Sequence, residues 1–593
     1  MRLDIAGILA AYHDGATTPA ALIGELRAAI VAKGLRPVWI SLFEPEQLAE
    51  RLDRLEARRQ AGETLPLYGV PFAVKDNIDL AGLPTTAACP AFAYRPERSA
   101  AVVERLEAAG AIPLGKTNLD QFATGLVGTR SPYGAPSSVF HSDFISGGSS
   151  SGSAVAMASG QVSFALGTDT AGSGRVPAAF NNIVGLKPTR GLLSGRGVVP
   201  ACRLIDCVSI FAGSCADAAK VLAIAEGFDP EDALSRRRPQ SVPSFGGSFT
   251  FGVPAQPLDF CGDAEAEGLY RAAVARLEAL GGRRLAFDFA PFAAAARLLY
   301  QGPFVAERLA ALMGRGFTDW AAMDPVVAKI IEGGEAVTAA HAFQGLYDLA
   351  DLVRAAAPVW AAADCLLLPT APTIFTHEEL RQDPICRNSQ LGLYTNFANL
   401  MDLAAIAVPA GFRQDGLPFG VTLMAPAFAD LALLPIADAL HRGLSAPSWG
   451  GTGLPLPPPS PLPAVAGRIE VAVVGAHLSG QPLNHQLVSR GARLVRTSRT
   501  APGYRFYALS GTKPAKPGLI REEGAPGRIE VEVWEMDDAA FGSFVALIPP
   551  PLGIGTLTLE DGAEVKGFLC EAYALKGAED ITPHGGWRAF LAG

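Results

Sequence analysis

The sequence predicts an α/β fold in which helices cover both faces of a β-sheet. Short apolar runs at 66–74 and 161–167 are typical of buried strands, and the patterns at 99–110 and 264–280 are typical of amphipathic helices. Strands that alternate with helices build a sheet whose two faces are both buried. We therefore expect a helix-covered sheet in the main part of the chain.

A proline-rich run divides the chain into two parts of different composition. Residues 454–463 read LPLPPPSPLP, which favours extended backbone and excludes a helix or a central strand. After this run, segments such as 468–474 alternate apolar and polar residues as strands do. We predict a first domain over 1–453, a linker over 454–466 and a smaller second domain over 467–593.

Composition and charge exclude several classes of protein. Of the 593 residues, 49% are hydrophobic and 18% are charged, which excludes a mainly disordered chain. The net charge of −9 gives no electrostatic reason to bind nucleic acid or an anionic membrane. No apolar run reaches the roughly 18 residues of a membrane-spanning helix. We also expect no signal peptide, because the first residues have only a short apolar run.

The cysteines indicate the redox environment of the chain. There are 8 of them, scattered and without a Cys-x-x-Cys pair. This spacing argues against both zinc ligation and a disulfide framework. We expect reduced, mostly buried thiols in a cytoplasmic protein.

The stretch most suggestive of chemistry is 145–190, where two Gly/Ser/Thr loops, at 146–153 and 168–174, flank a short helix and a strand. Loops of this kind turn backbone N–H groups toward one point, where they bind a phosphate or an oxyanion. A phosphate is disfavoured because no G-x-x-x-x-G-K-[ST] sequence occurs. A nucleophile elbow at 148–152 is disfavoured because the residues before it form a poor strand.

A lysine at the edge of a buried strand could activate a serine. Lys75 ends the apolar run 70–74 and precedes Asp76 and Asn77. Burial lowers the pKa of an amine toward neutrality, which would let it accept a proton. A lysine that reaches solvent or pairs with Asp76 is the alternative, and taken alone the residue favours that alternative.

Four motifs together resemble the amidase signature family. They are VKDN at 74–77, GGSSSGS at 147–153, GTDTAGSGRVPA at 167–178 and GLKPT at 185–189. The resemblance implies a core with a mixed β-sheet covered by helices. It also implies hydrolysis of an amide through an acyl-enzyme, carried out by a Ser–cis-Ser–Lys triad.

The resemblance implies a role for each residue of the site. The nucleophile would be Ser173, the bridging serine after a cis peptide bond would be Ser149, and the base would be Lys75. This chain has Ala-Gly-Ser where the family often has Gly-Gly-Ser, a small change that we expect the oxyanion hole to tolerate. The remaining implied roles are oxyanion donors at Thr170, Ala171 and Gly172, with the N–H of Ser173, and loop support by Ser131, Asp169 and Arg175.

The order of the two domains resembles the allophanate hydrolases, a group within this family. That resemblance implies a small anionic substrate, allophanate (N-carboxyurea), which is degraded to ammonia and carbon dioxide. Tyr300 and Arg308 match the substrate-binding pair of the group, and Gly125 is expected to line the same pocket. An arginine offers a two-pronged donor to a carboxylate.

Two alternatives stay open at this point. One is an amidase-signature enzyme that acts on another small amide, such as a biuret-like or aryl amide, and does not need Arg308. The other is a non-catalytic scaffold, against which an intact set of Lys75, Ser149 and Ser173 argues.

The second domain resembles the γ-glutamylcyclotransferase-like fold, a small mixed β-barrel. In allophanate hydrolases this domain is implicated in decarboxylation of the first product, and a domain that only binds or dimerises is the alternative. The candidate residue is His477, with His485 as its rival; weaker candidates are Tyr504, Arg505 and Glu571.

The resemblance also bears on partners. It implies a homodimer. No metal, nucleotide, biotin or other cofactor is expected, and the sequence contains no biotin-accepting Met-Lys-Met motif. A separate biotin-dependent urea carboxylase, or enzymes that degrade cyanuric acid and biuret, would supply the allophanate.

Overall fold

The computed structural model describes residues 2–239, 245, 249–462 and 468–593. Residues 2–238 and 249–462 belong to one compact unit, and residues 468–593 belong to a second. The predicted linker lies partly outside the described residues, and its described part, 454–462, contains no helix. The exact domain boundaries stay a prediction.

The first unit is built on a large mixed sheet. Its strands are β1 (Trp39–Leu42), β2 (Pro71–Lys75), β3 (Ile112–Thr117), β4 (Ser137–Ser138), β5 (His141–Ile145), β6 (Phe164–Asp169), β7 (Val184–Lys187), β8 (Cys207–Ala212), β9 (Phe249–Pro254), β10 (Gly282–Phe287), β11 (Cys365–Pro369), β12 (Leu403–Phe412) and β13 (Pro418–Pro426). Eleven of them form one sheet in the order β1-β3-β2-β6-β8-β7-β12-β13-β11-β9-β10. β2 runs parallel to β3 and β6, whereas β6 and β8 are antiparallel.

Helices pack on this sheet. They are α1 (Ile5–His13), α2 (Pro19–Lys33), α3 (Pro45–Gln60), α4 (Ala101–Ala108), α5 (Ser151–Ala158), α6 (Val176–Phe180), α7 (Cys215–Ala225), α8 (Ala264–Ala279), α9 (Ala290–Gln301), α10 (Phe304–Met313), α11 (Pro325–Glu332), α12 (Ala339–Ala362), α13 (His377–Gln382), α14 (Cys386–Leu391), α15 (Phe397–Leu400) and α16 (Asp430–Arg442). Every residue of β2, β6 and β8 is buried, so both faces of the sheet are covered there. The predicted helix-covered α/β fold is confirmed.

Local interactions shift the ends of the predicted elements. The apolar pattern predicts one strand over 66–74, but β2 begins only at Pro71. Leu67 and Gly69 lie in a turn, where their N–H groups donate to the carbonyl oxygens of Ala109 and Gly110, each at 2.9 Å. The helices predicted at 99–110 and 264–280 are present as α4 and α8, with slightly narrower bounds.

The second unit contains two sheets and three short helices among the described residues. Its elements are β14 (Arg468–Val473), α17 (His485–Val488), β15 (Arg493–Arg499), β16 (Tyr504–Ala508), β17 (Pro517–Arg521), β18 (Glu530–Asp537), α18 (Asp538–Val545), β19 (Leu552–Thr558), β20 (Glu564–Cys570), β21 (Glu579–Asp580) and α19 (Trp587–Leu591). The sheet orders are β15-β18-β14-β20-β19 and β17-β16-β21. The pairings among these described strands do not close into a barrel, and the barrel stays a prediction.

A helix that crosses a bilayer must be both long and apolar. Within the described part of the chain, no helix combines the two properties.

Candidate active site

Lys75 occupies the end of a central strand. It is the last residue of β2, and its side chain is fully buried. Its Nζ donates to Ser149 Oγ and to Thr168 Oγ1, each at 2.7 Å. Thr168 belongs to β6, which runs parallel to β2, so the carboxyl ends of the two strands bring these side chains to one edge of the sheet.

Burial changes the acid–base behaviour of Lys75. Desolvation lowers the pKa of its amine to about 7, while the carboxylates of Asp120, Asp206 and Asp169 act in the opposite direction. An amine with this pKa is partly neutral near physiological pH and can accept a proton there. The alternative was a lysine that reaches solvent or pairs with Asp76. The structure shows a buried lysine that donates to two hydroxyls instead.

Ser149 lies in the glycine-rich turn before α5. The peptide bond between Gly148 and Ser149 is cis. A Cβ atom on Gly148 would lie 2.3 Å from Asp120 Oδ2 and 2.4 Å from the backbone nitrogen of Gly128, so only glycine fits there. The turn is thereby pressed against the segment 120–128.

Ser173 lies in the loop between β6 and α6 and is 2% exposed. Its Oγ donates to the carbonyl oxygen of Gly125 at 3.3 Å. Gly125 is thus placed beside the candidate nucleophile. Because the Ser173 hydroxyl is engaged with Gly125, proton transfer to Ser149 requires this hydroxyl to turn toward Ser149.

An ion pair shapes the loop that carries Ser173. Arg175 Nε and Nη2 donate to the two carboxylate oxygens of Asp169, each at 2.9 Å, and both side chains are fully buried. Burial acts to raise the Asp169 pKa, but Arg175 holds that pKa below its ordinary value. The same carboxylate accepts from the N–H groups of Gly172 (2.9 Å) and Gly174 (3.1 Å).

One predicted oxyanion donor in this loop already has a partner. The N–H of Gly172 donates to Asp169, so its service in the oxyanion hole would require this hydrogen bond to be shared or broken, and the assignment stays a prediction. The N–H groups of Thr170, Ala171 and Ser173 are the other predicted donors.

Arg308 and Tyr300 come together on two successive helices, α10 and α9. Arg308 is 2% exposed, and its Nη1 and Nη2 donate to Thr124 Oγ1 (3.1 Å) and to the Tyr300 hydroxyl (3.4 Å). Its Nε is buried and lacks a hydrogen-bond partner among the described residues. Thr124 directly precedes Gly125, so this guanidinium adjoins the segment that contacts Ser173.

The charge of Arg308 is not neutralised by direct contact. Among the described residues no carboxylate forms an ion pair with it, although Asp206 and Glu307 attract it electrostatically. A buried guanidinium with only hydroxyl partners is suited to receive an anion.

Ser131 is connected to the segment around Ser149 through Asn118. Its Oγ donates to Asn118 Oδ1 at 2.6 Å and accepts from the N–H of Tyr133 at 3.2 Å. The carbonyl oxygen of Asn118 in turn accepts from the N–H of Gly152 in α5 (3.0 Å). Ser131 is thereby linked through Asn118 to α5, the helix that follows Ser149, and its supporting role stays a prediction.

In the second unit, His477 lines a cavity of about 200 Å³ together with Lys513, Lys516 and apolar side chains. Its ring stacks on Phe568, with centroids 5.2 Å apart, and its Nε2 lies 2.9 Å from Gln486 Oε1. Burial lowers the pKa of His477.

The other candidates in the second unit do not line that cavity. His485 and Glu571 are exposed, and His485 Nδ1 lies 3.0 Å from the carbonyl oxygen of Pro482. Tyr504 is buried and accepts from Arg521 Nη2 at 2.8 Å. Arg505 forms ion pairs with carboxylates across the three-stranded sheet.

Comparison with known families identifies the first unit. The amidase family model matches residues 27–434. The chain belongs to the amidase family. A second family model, the allophanate hydrolase C-terminal domain, matches residues 469–592 of this amidase.

Individual relatives agree with this assignment. The urea amidolyase of Saccharomyces cerevisiae is 44% identical over 98% of the amidase, which spans only 32% of that protein. The urea amidolyase of Lachancea kluyveri is also 44% identical, over 94% of the amidase and 31% of that protein. The solved allophanate hydrolase of Kluyveromyces lactis is 41% identical, with a TM-score of 0.76 and 99% of each chain covered.

Three side chains of this amidase site are not singled out by the sequence. Thr168 contacts Lys75, Thr124 contacts Arg308, and Asp206 accepts from Thr170 Oγ1 at 2.5 Å. Asp206 also helps to line a cavity of about 590 Å³. Thr168 lies inside the matched motif and could have been found there, whereas the other two are identified only by contacts between distant parts of the chain.

Proposed function

We propose that this amidase hydrolyses allophanate through an acyl-enzyme on Ser173. The observation that carries the proposal is the buried guanidinium of Arg308, whose hydrogen-bond partners among the described residues are two hydroxyls and which adjoins the segment that contacts Ser173. A substrate carboxylate would supply the missing negative charge, and a neutral amide would not. The likeness to Kluyveromyces lactis allophanate hydrolase over both units supports the same substrate.

The proposed first step uses the contacts at the end of β2. With Lys75 neutral, its Nζ accepts the proton of Ser149, while Ser149 takes the proton of Ser173. The Ser173 oxygen then bonds to the terminal amide carbon, and the N–H groups of Thr170, Ala171 and Ser173 stabilise the oxyanion.

Attack by Ser173 gives a tetrahedral intermediate, which then collapses and releases the first product. The bond from carbon to the terminal nitrogen breaks, and that nitrogen leaves as ammonia with the proton returned by the same relay. Water then attacks the acyl-enzyme and releases a dicarboxylated amine. One water is consumed and one ammonia is formed.

Arg308→Ala should reduce kcat/KM for allophanate by roughly 100-fold, since truncating one partner of a buried charge pair costs about 3 kcal/mol. Ammonia release would be measured with allophanate, urea, biuret, malonamate and an aryl amide. We expect the two carboxylated substrates to lose most and the neutral amides to change little.

Arg297→Ala is the matched control, because Arg297 is an exposed arginine on α9. It should leave all five rates unchanged. If the wild type turned over neutral amides as well as allophanate and Arg308→Ala had no selective effect, the substrate proposal would be wrong and the general-amidase alternative would be favoured.

For the second unit we propose assistance in decarboxylating the dicarboxylated amine. The cavity beside His477 is lined by two lysines, whose positive charges suit a small dianion. The amidase step takes place in the other unit, so the two activities are separable by mutation.

His477→Gln should leave the first ammonia unchanged but slow the appearance of carbon dioxide. With carbon-13-labelled allophanate, NMR spectra should show the carboxylated amine persisting longer in the variant than in the wild type. His485→Gln, which alters an exposed histidine outside the cavity lining, is the control. Delayed carbon dioxide in His485→Gln alone would move the assignment to that residue, and identical product curves for all proteins would reduce the unit to binding or dimerisation.

The remaining inferences concern cell location and partners. All eight cysteines are free thiols, which supports a reducing compartment, and we infer the cytoplasm. A homodimer, the absence of cofactors, and allophanate supplied by a urea carboxylase or by cyanuric acid and biuret degradation stay predictions.

A further inference from the structure

Asp120 contacts the turn that carries Ser149. The aspartate is fully buried, and its backbone N–H donates to the carbonyl oxygen of Ser149 at 3.0 Å. Its carboxylate would also be 2.3 Å from a Cβ placed on Gly148 and 2.7 Å from one on Gly125. The carboxylate therefore lies against the backbone at Gly148, which precedes Ser149, and at Gly125, which contacts Ser173.

The same carboxylate closes the segment 124–130 into a compact loop. It accepts three backbone N–H bonds, from Val127 (3.2 Å), Gly128 (2.9 Å) and Arg130 (3.0 Å). Arg130 Nη1 also donates to the carbonyl oxygen of Thr124 at 3.0 Å. The buried Asp120 carboxylate and these hydrogen bonds thus fix the conformation of the loop.

This loop contacts the nucleophile and the proposed carboxylate-binding arginine. Its Gly125 carbonyl accepts from Ser173 Oγ (3.3 Å), and its Thr124 Oγ1 accepts from Arg308 Nη1 (3.1 Å). Since a displacement of about 1 Å can cost on the order of 100-fold in rate, the position of this loop matters to both contacts.

We propose that Asp120 is a positioning residue of the active site, which aligns Ser173 with Ser149 and holds Arg308 in place through the loop 124–130. The Arg308 part rests on the proposed function, whereas the serine part applies to any amide substrate.

Asp120 also acts on Lys75 through its charge. With Asp206 and Asp169 it opposes the desolvation that lowers the pKa of Lys75. Burial raises the pKa of Asp120 itself, while Arg130 and the three N–H donors lower it. The carboxylate that follows Lys75 in the chain, Asp76, is paired with Lys116 at 3.0 Å. A neutral residue at position 120 should therefore lower the Lys75 pKa further.

The test measures the reactivity of Ser173 without allophanate. Wild type and Asp120→Asn would be treated with a fluorophosphonate probe across pH 5–9, and labelling of Ser173 would be followed by intact mass. An asparagine keeps the size but presents an NH₂ group to the backbone donors. We expect Asp120→Asn to label roughly 10- to 100-fold more slowly, with the acid limb of its pH profile at lower pH than that of the wild type.

Asp430→Asn is the matched control. Asp430 is fully buried and accepts from the N–H (2.7 Å) and the hydroxyl (2.8 Å) of Thr189, and it is not among the carboxylates that act on the pKa of Lys75. This control should keep the wild-type rate and acid limb. An Asp120→Asn protein that is folded and labels Ser173 at the wild-type rate, or an Asp430→Asn protein that is slowed equally, would overturn the proposal.

Gly125→Ala keeps the test decisive if Asp120→Asn does not fold. Its Cβ would press on Asp120 Oδ2 at a backbone φ of +156°, which displaces the loop but keeps the charge. Slower labelling with an unmoved acid limb is expected, and a wild-type rate would overturn the positioning role. Because the probe needs no allophanate, a wild type that labels but does not hydrolyse allophanate would refute the substrate proposal alone.

Discussion

Ser173→Ala should lower the rate of ammonia release by a factor on the order of 10⁴ or more, because the chain loses the oxygen that forms the acyl-enzyme. The oxyanion donors and Arg308 would remain, so only the small rate that binding and electrostatics sustain should be left. Folding should be preserved, since the Ser173 hydroxyl makes one 3.3 Å hydrogen bond, to Gly125, whose loss costs about 1 kcal/mol.

Two measurements check this expectation. Ammonia release would be followed with allophanate, and intact mass after rapid quenching would show whether an acyl group accumulates on the protein. Ser163→Ala is the control, because Ser163 is equally buried and its hydroxyl lacks a hydrogen-bond partner among the described residues. Near-wild-type turnover by a folded Ser173→Ala protein would show that another group is the nucleophile.

The placement of the candidate catalytic residues could be predicted from sequence because they lie in short segments. Residues 167–178 contain the end of a strand, the loop and the start of a helix, so the placement of Ser173 follows from local order. Lys75 could be placed at a strand end for the same reason. The hydrogen bond between Gly172 and Asp169 could not be predicted, since it depends on the exact loop conformation.

Contacts between distant segments could not be predicted from the sequence. Thr124 and Arg308 are 184 residues apart, and only the packing of α10 beside the loop 124–130 brings them together. The strand order also depends on contacts between distant segments, because β7 pairs with β12 more than 200 positions later. Alternating strand and helix patterns predict that a sheet forms, but pairing partners are chosen by tertiary packing.

Lys75→Met should lower kcat/KM by roughly 10²- to 10⁴-fold, the usual contribution of a general base. In the wild type, activity should rise with pH around a midpoint of about 7, because burial lowers the Lys75 pKa to that value and only the neutral amine accepts a proton. The methionine variant should have a small residual rate without this limb. A limb near pH 7 that persisted in Lys75→Met would assign the titration to another group.

The same pKa predicts how stability depends on pH. An unfolded lysine titrates near 10.4, so between about pH 7 and pH 10 the unfolded chain binds a proton that the folded chain does not. The contribution of Lys75 to the free energy of unfolding must therefore rise with pH across that window. Below pH 7 the folded protein bears a buried charged amine, and there Lys75→Met should be more stable than the wild type.

Denaturant unfolding at pH 6 and pH 9 would separate this effect from catalysis. Lys187→Met is the control, since Lys187 is also fully buried at the end of a strand and its Nζ donates to the carbonyl oxygen of Pro188 at 2.8 Å. It should keep the activity limb near pH 7, whereas Lys75→Met should lose both the limb and the rise in stability. Burial of Lys75 destabilises its protonated form and thereby makes the amine available as a base. The same burial lowers the stability of the folded protein below neutral pH.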